Sequence, residues 1–191
     1  PVGPDGQPLA AGLPCLNNPQ ALAYMDEAVA TLASERADDD WVHYGHMGDE
    51  TDFGNCFCAH CQRLFREQFG YDLPEVVPDF SPGYLDKWID YCVFKNQAIS
   101  RMYGRARKVA RENKPGIKMF ASLPQVGGMA HGDDQFHTQS EFDLLWDHTY
   151  PGSMVIQVGL NAALLEDTAR AQGRPYVPVF DLLQGFDSYD R

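Results

Sequence analysis

Three cysteines lie within six consecutive positions of the sequence, at Cys56, Cys58 and Cys61. Cysteine thiolates bind Zn²⁺ at about 2.3 Å and favour closed, four-coordinate structural sites. The chain has five cysteines in all, a number and distribution that fit a metal site better than a disulfide framework. The spacing therefore predicts a structural zinc site, with redox-active or incidental cysteines as the alternative.

A zinc site built on these thiols needs a fourth ligand, for which Cys15, Cys92 and His60 are the candidates. Cys92 falls among apolar residues of a predicted long helix, as is typical of a core residue. His60 is adjacent to Cys61, so its side chain is expected to point elsewhere. Cys15 belongs to a predicted loop that is free to approach, and we expect it to complete the site.

Two acids, Asp49 and Glu50, precede the thiols and follow a short aromatic-rich stretch that is predicted to be a strand. In parallel α/β proteins, ligands bind at the carboxyl ends of the strands. A carboxylic acid placed there can protonate a leaving oxygen when burial raises its pKa. The pair therefore suggests a catalytic acid, and a solvated acidic loop is the alternative.

The elements that would position these groups alternate between helix and strand along the chain. Asn18 and Pro19 supply an N-cap and a first-turn proline for the first helix. Apolar periodicity and turn residues predict helices at 19–35, 59–69, 82–113, 138–144 and 160–172, and strands at 41–45, 117–122, 145–150 and 176–183. Residues 153–158 are apolar enough to be either a strand or the start of a helix.

This alternation predicts βαβ units around a parallel sheet. Strands that are apolar throughout indicate that both faces of the sheet are covered. The 191 residues supply four or five strands, whereas a complete (β/α)8 TIM barrel needs about 250 residues. We therefore expect a single α/β domain over residues 1–191, either a fragment of such a barrel or a smaller doubly wound sheet.

The overall charge argues against one class of partner. The chain carries 27 acidic and 15 basic side chains, for a net charge of −12, whereas nucleic-acid binding requires a basic surface. No apolar run is long enough for a membrane span, so no membrane partner is expected. The sequence opens on Pro-Val-Gly-Pro rather than Met, as expected of a piece of a longer protein, so no localisation is predicted.

Several of these features occur together in one known family. The stretch LPCLNNP at 13–19, a strand ending in Asp49-Glu50, and the stretch CFCAHCQRLFR at 56–66 resemble the middle of the barrel domain of glycoside hydrolase family 42 β-galactosidases and related clan A enzymes. Members have a Cys before the helix, Asn-Glu at the end of the fourth strand, and Cys-X-Cys-X-X-Cys leading into Phe-Arg. The resemblance covers residues 13 to about 122 well.

The resemblance implies hydrolysis of O-glycosidic bonds with a carbohydrate as the partner. It makes Glu50 the general acid/base. It also makes Cys15, Cys56, Cys58 and Cys61 the ligands of a structural zinc ion.

Two positions depart from the family's pattern. The Asn that precedes the acid/base, and that binds a sugar hydroxyl, is Asp49 here, and its charge would raise the pKa of Glu50. The family's nucleophile is a Glu at the end of the seventh strand, and the matching segment 175–185 offers Asp181 and no Glu. A retaining mechanism needs two carboxyl groups about 5–5.5 Å apart. The resemblance thus implies Asp181 as nucleophile, unless that group lies beyond Arg191.

The sugar site is expected to include residues near the end of a later strand. Asp147-His148-Thr149-Tyr150-Pro151 resembles the sixth-strand region that lines the sugar site of such barrels. Trp146 and Tyr150 could stack on a sugar face, with a place in the core as the alternative. The expected substrate contacts are therefore Asp49, Trp146, Asp147 and Tyr150.

Two other functions fit the same residues. One is a non-catalytic barrel domain that binds saccharide or supports a larger architecture. The other is a metallohydrolase that uses the histidines of residues 127–139 together with Asp49 or Glu50. Homo-oligomerisation is left open.

Overall fold

The computed structural model describes residues 2–3, 5–7, 14–35, 41–46, 56–74, 84–123, 141–149 and 155–180. The helices are α1 (Pro19–Glu35), α2 (Ala59–Phe69), α3 (Tyr84–Asn113) and α4 (Val155–Gln172). The strands are β1 (Trp41–His46), β2 (Lys118–Leu123), β3 (Leu145–Thr149) and β4 (Tyr176–Phe180). None of these described helices is long and apolar enough to cross a lipid bilayer.

The described strands form one parallel sheet in the order β1-β2-β3-β4, as the alternation predicts. Each strand pairs with the next one in the sequence; Trp41 lies opposite Lys118, and Thr149 lies opposite Phe180. A doubly wound sheet reverses its winding at a switch point, whereas a barrel adds each strand beside the previous one. The order of the described strands therefore matches the winding of a barrel.

Local signals in the sequence determine where the first two helices begin and end. Asn18 caps α1, because its Oδ1 accepts a hydrogen bond from the backbone N–H of Gln20 at 2.9 Å. Helix α2 is capped at its C-terminal end by Gly70, whose left-handed φ of 80° lets its N–H bond to the carbonyl of Arg66. The predicted bounds of both helices are confirmed.

For three other predictions, the structure either decides between two alternatives or requires a correction. The described part of the segment 153–158 is the start of a helix, since α4 begins at Val155. Leu85 and Ile89, which belong to the apolar stripe that helical periodicity predicts for the long helix, are exposed at 42% and 48%. Both residues lie in the first two turns of α3, whereas α1 packs against a later part of this helix. The periodicity of a sequence shows which face of a helix is apolar, but not how far along the helix its packing partner extends.

The helix predicted at 138–144 is described only from Glu141, which lies in a 3₁₀ turn; residues 142–144, predicted to be helical, are bends that lead into β3. The cause is Asp143. Its backbone N–H donates to the carbonyl of Met119 at 2.9 Å, and its Oδ2 accepts from the N–H of Met119 at 3.0 Å. These bonds to β2 take the place of helical ones.

The larger core lies between α1, α3 and the sheet. Small residues such as Ala33 and Ala106 allow the two helices to approach closely, and the rings of Tyr103 and Phe142 meet edge to face at 4.5 Å. The buried members are Leu16, Val29, Ala33, Ala98, Ile99, Met102, Tyr103, Ala106, Ala110, Ile117, Met119 and Phe142.

Asp143 also joins the sheet to α3. Its Oδ1 accepts hydrogen bonds from Arg107 at 3.1 Å and Arg111 at 2.7 Å, and the carboxylate is largely buried. Hydrogen bonds to a charged group contribute about 1.5–3 kcal/mol each when they are made, and leave costly unpaired donors when they are broken.

We therefore predict that Asp143→Ala lowers the free energy of unfolding by about 3 kcal/mol. Urea denaturation followed by circular dichroism measures the change. The matched control is Asp72→Ala, which removes an exposed ion pair with Arg66 and should cost less than about 1 kcal/mol. Equal losses in the two variants would contradict this role for Asp143.

Candidate metal centre

The four cysteines predicted to act together come from two segments of the chain, the turn before α1 and the start of α2. Cys15 lies in the turn before α1, Cys56 precedes α2, Cys58 is the N-cap residue of α2, and Cys61 lies in its first turn. Their sulfur atoms all lie within 4.8 Å of one another. The group could therefore hold a metal ion.

The sulfur separations suit a tetrahedral site. The Sγ of Cys15 lies 3.5 Å from that of Cys61 and 3.6 Å from that of Cys58, and Cys58 and Cys61 are 3.8 Å apart. Four sulfurs at 2.3 Å from a central ion are separated by about 3.8 Å, whereas a disulfide bond measures about 2.05 Å. All these cysteines are free thiols, so the spacing matches a shared ion rather than a bridge.

The backbone around the cluster explains how the sulfurs converge. Cys58 has the extended conformation of an N-cap residue, φ −62° and ψ 164°, and Cys61 follows three residues later on the same side of the first turn. The thiol of Cys15 reaches the cluster from a separate turn. This turn is closed by a hydrogen bond of 3.0 Å from the Asn18 N–H to the Cys15 carbonyl. The positive end of α2 favours thiolates at this position.

The cluster is almost dry. Cys15, Cys56 and Cys61 are 8%, 2% and 1% exposed, and Cys58 is half-buried. The apolar residues that pack with the cluster include Phe65, Leu73, Tyr91 and Phe94, with the rings of Phe65 and Phe94 5.3 Å apart. In such surroundings several negative charges are costly unless a cation balances them.

The thiols shift one another's pKa values in the direction expected for a metal-binding cluster. Hydrogen bonding with Cys15 and Cys61 lowers the pKa of Cys56, so one thiolate is stabilised. Hydrogen bonding with Cys56 raises the pKa of Cys15 to about 12, and hydrogen bonding with Cys15 raises that of Cys61. Further deprotonation without a metal is therefore opposed, and a divalent cation that binds here must displace protons.

The two rejected candidates for the fourth ligand lie apart from this group. Cys92 is buried in α3, and burial raises its pKa, as expected of a core thiol. Neither Cys92 nor His60 belongs to the metal-ligating group found among the described residues. The choice of Cys15 from the sequence is thus confirmed as far as proximity is concerned.

Two residues next to the cluster were not predicted. The amide Nδ2 of Asn17 donates to the Sγ of Cys61 at 3.4 Å, and the Oδ1 of Asn17 accepts from Nη2 of Arg101 at 3.2 Å. A polar residue two positions after a candidate ligand is a usable signal for Asn17. Arg101 is 84 residues away along the chain, so no local pattern indicates it.

Three of the predicted sugar contacts, Trp146, Asp147 and Tyr150, fall on β3 or directly after it in the sequence. Trp146 and Asp147 belong to β3, where they lie opposite Val177 and Pro178 of β4. They are the second and third of the five residues of β3, and their contact with a sugar stays a prediction.

The remaining predicted site residues are Asp49, Glu50, Tyr150, Asp181 and the loop 127–139, which lie outside the described residues. In the sequence, Tyr150 and Asp181 directly follow the last residues of β3 and β4, and Asp49-Glu50 come shortly after β1. All four therefore follow strands that run in the same direction.

No protein-family profile and no curated protein matches this sequence. Solved structures do match the fold, and three of them are β-galactosidases. The enzyme from Bacillus circulans sp. alkalophilus has a TM-score of 0.68 at 17% identity, over 87% of this chain and 30% of that chain. The enzyme from the Antarctic haloarchaeon Halorubrum lacusprofundi has a TM-score of 0.60 at 15% identity, over 78% and 27%.

The third, a cold-adapted β-galactosidase from Rahnella sp. R3, has a TM-score of 0.62 at 15% identity, over 81% of this chain and 26% of that chain. This chain thus spans less than a third of the length of each enzyme. At these identities the likeness concerns the fold. The chain is folded like part of the structure of these β-galactosidases.

We predict that the protein carries one metal ion per chain and that Cys61→Ser loses it, because a buried hydroxyl replaces a thiolate in a closed site. Inductively coupled plasma mass spectrometry of the purified protein measures the ratio. Cys92→Ser is the matched control and should retain the metal. Equal metal content in the two variants would contradict the assignment.

Proposed function

We propose that this chain forms part of the catalytic barrel of a retaining glycoside hydrolase acting on β-galactosides, stabilised by a structural zinc ion. The observation that supports this most is the sequential parallel sheet, in which β1 and β4 are each followed by an acid, Glu50 and Asp181. Ligands of barrel enzymes bind at that edge.

The strand register supports this pairing of acids. One row of paired residues crosses the sheet at His46, Ser122, Trp146 and Val177. In the sequence, Glu50 follows the first member of the row by four residues, and Asp181 follows the last by four. In an eight-stranded ring, strands three positions apart lie on nearly opposite sides of the mouth, about 135° apart. Side chains from both could approach the 5–5.5 Å that a retaining pair requires.

The proposed reaction has two steps. Glu50 donates its proton to the glycosidic oxygen while the carboxylate of Asp181 attacks the anomeric carbon, so the bond to the leaving group breaks and an ester forms. Glu50, now a carboxylate, then takes a proton from water, whose oxygen attacks the same carbon and releases Asp181. The adjacent Asp49 would keep Glu50 protonated in the resting site by like-charge repulsion.

The substrate would be held by groups on β3 and by groups that follow the strands in the sequence. Asp49, Asp147 and Tyr150 would bond to sugar hydroxyls, and Trp146 would stack on the apolar face of the ring.

Zinc is the ion that fits the cysteine cluster best. Four thiolates with no open position form a closed site, which in zinc proteins is structural. The ion would join the turn at Cys15 to the start of α2. Because Cys56 comes six residues after Glu50, it would also restrain the downstream end of the segment that carries the acids.

We predict that Glu50→Gln lowers kcat/KM for an alkyl β-galactoside by about 10²–10⁴-fold, since this leaving group requires protonation. The value for a dinitrophenyl β-galactoside, which leaves without a proton, should change far less. Steady-state kinetics on the two substrates measures the difference. Glu27→Gln, an exposed change on α1, is the control. A Glu50→Gln variant that hydrolyses both substrates at the unmutated rate would contradict the proposal.

A non-catalytic, saccharide-binding barrel domain is the second candidate. The observations that favour it are Asp49 in place of the family's Asn and Asp181 in place of its Glu. Isothermal titration against a panel of glycans, together with an activity screen, separates the two. Binding without turnover would favour the second candidate.

A further inference from the structure

We propose that Asn17 and Arg101 form a hydrogen-bonded relay that supports the cysteine cluster from outside and strengthens its hold on the metal. The relay runs from the guanidinium of Arg101 to the amide of Asn17 and on to the sulfur of Cys61. The inference rests on the metal site of the proposed function and is independent of the glycosidase reaction.

Arg101 determines which way the amide of Asn17 faces. A guanidinium can only donate hydrogen bonds, so the group that it contacts at 3.2 Å must be the amide oxygen. The amide nitrogen is then directed to the Sγ of Cys61, 3.4 Å away. Without Arg101, the amide could turn and present its oxygen to the same sulfur, which would repel a thiolate.

The sulfur at the end of the relay is the one where an N–H donor matters most. Cys61 is the least exposed of the four cysteines, so water cannot stabilise its charge. Hydrogen bonding to a charged acceptor is strong in such an environment.

The relay also joins the cluster to the long helix. Arg101 belongs to α3, whereas Asn17 lies in the turn that carries Cys15 to α1. Outer partners of metal ligands orient those ligands, and their loss typically lowers metal affinity 10–100-fold. Positioning residues of this kind leave the number of ligands unchanged.

The test compares Asn17→Ala, Arg101→Met and the double variant with the unmutated protein. Arg105→Met is the matched control, because Arg105 lies one turn further along α3 and pairs with Asp26 rather than with the cluster. Competition with a chromophoric chelator at fixed pH gives the zinc dissociation constant. Cobalt substitution gives the sulfur-to-metal charge-transfer spectrum, and circular dichroism confirms folding.

We expect each single variant to weaken zinc binding about tenfold or more and the Arg105 control to leave it unchanged. The double variant should match Asn17→Ala, because both changes remove the same bond to sulfur. The cobalt spectrum should keep four-thiolate intensity while its charge-transfer bands shift.

Unchanged affinity and spectrum in both single variants, with normal metal binding by the unmutated protein, would overturn the relay alone. Additive losses in the double variant would also overturn it. An unmutated protein that binds neither zinc nor cobalt would overturn both the relay and the proposed metal site. Measured glycosidase activity affects neither result.

Discussion

The structure depends on bringing four sulfur atoms within 4.8 Å of one another in an almost dry pocket. Neutral thiols can share hydrogen bonds there, but only one thiolate is readily stabilised, as the opposite pKa shifts of Cys56 and Cys61 indicate. A divalent cation makes several thiolates stable together, because its positive charge offsets their mutual repulsion and all of them coordinate it. The turn that carries Cys15 and the distant segment 56–61 then acquire a common point of attachment.

Helix α3 connects this point to the rest of the fold. Its first half contributes Tyr91 and Phe94 to the packing around the cysteines, and its second half packs against α1 and the sheet. Arg101 lies between the two halves and reaches the cluster through Asn17. A rigid helix that contacts both regions would hold the turn before α1 and the start of α2 in a fixed relation to the strands. The positions of the acids proposed for catalysis would depend on this fixed relation, because these acids follow the strands in the sequence.

Much of this arrangement follows from short-range patterns, and the exceptions have physical causes. Asn18-Pro19 and Gly70 define helix ends through local backbone bonds, so the bounds of α1 and α2 were predictable, as was the convergence of Cys15 with the later thiols. The exposure of Leu85 and Ile89 was not, because burial depends on where a distant partner lies. The bends at 142–144 depend on hydrogen bonds between Asp143 and Met119, which are distant in the sequence. Arg101 and Asn17 are also distant in the sequence and come into contact only in the folded protein.

The central claim is that four cysteine sulfurs surround one zinc ion. X-ray absorption at the zinc edge of the purified protein tests it most directly. The account predicts a single shell of four sulfur atoms at about 2.3 Å. A shell containing nitrogen or oxygen ligands, or a protein without bound zinc, would contradict it.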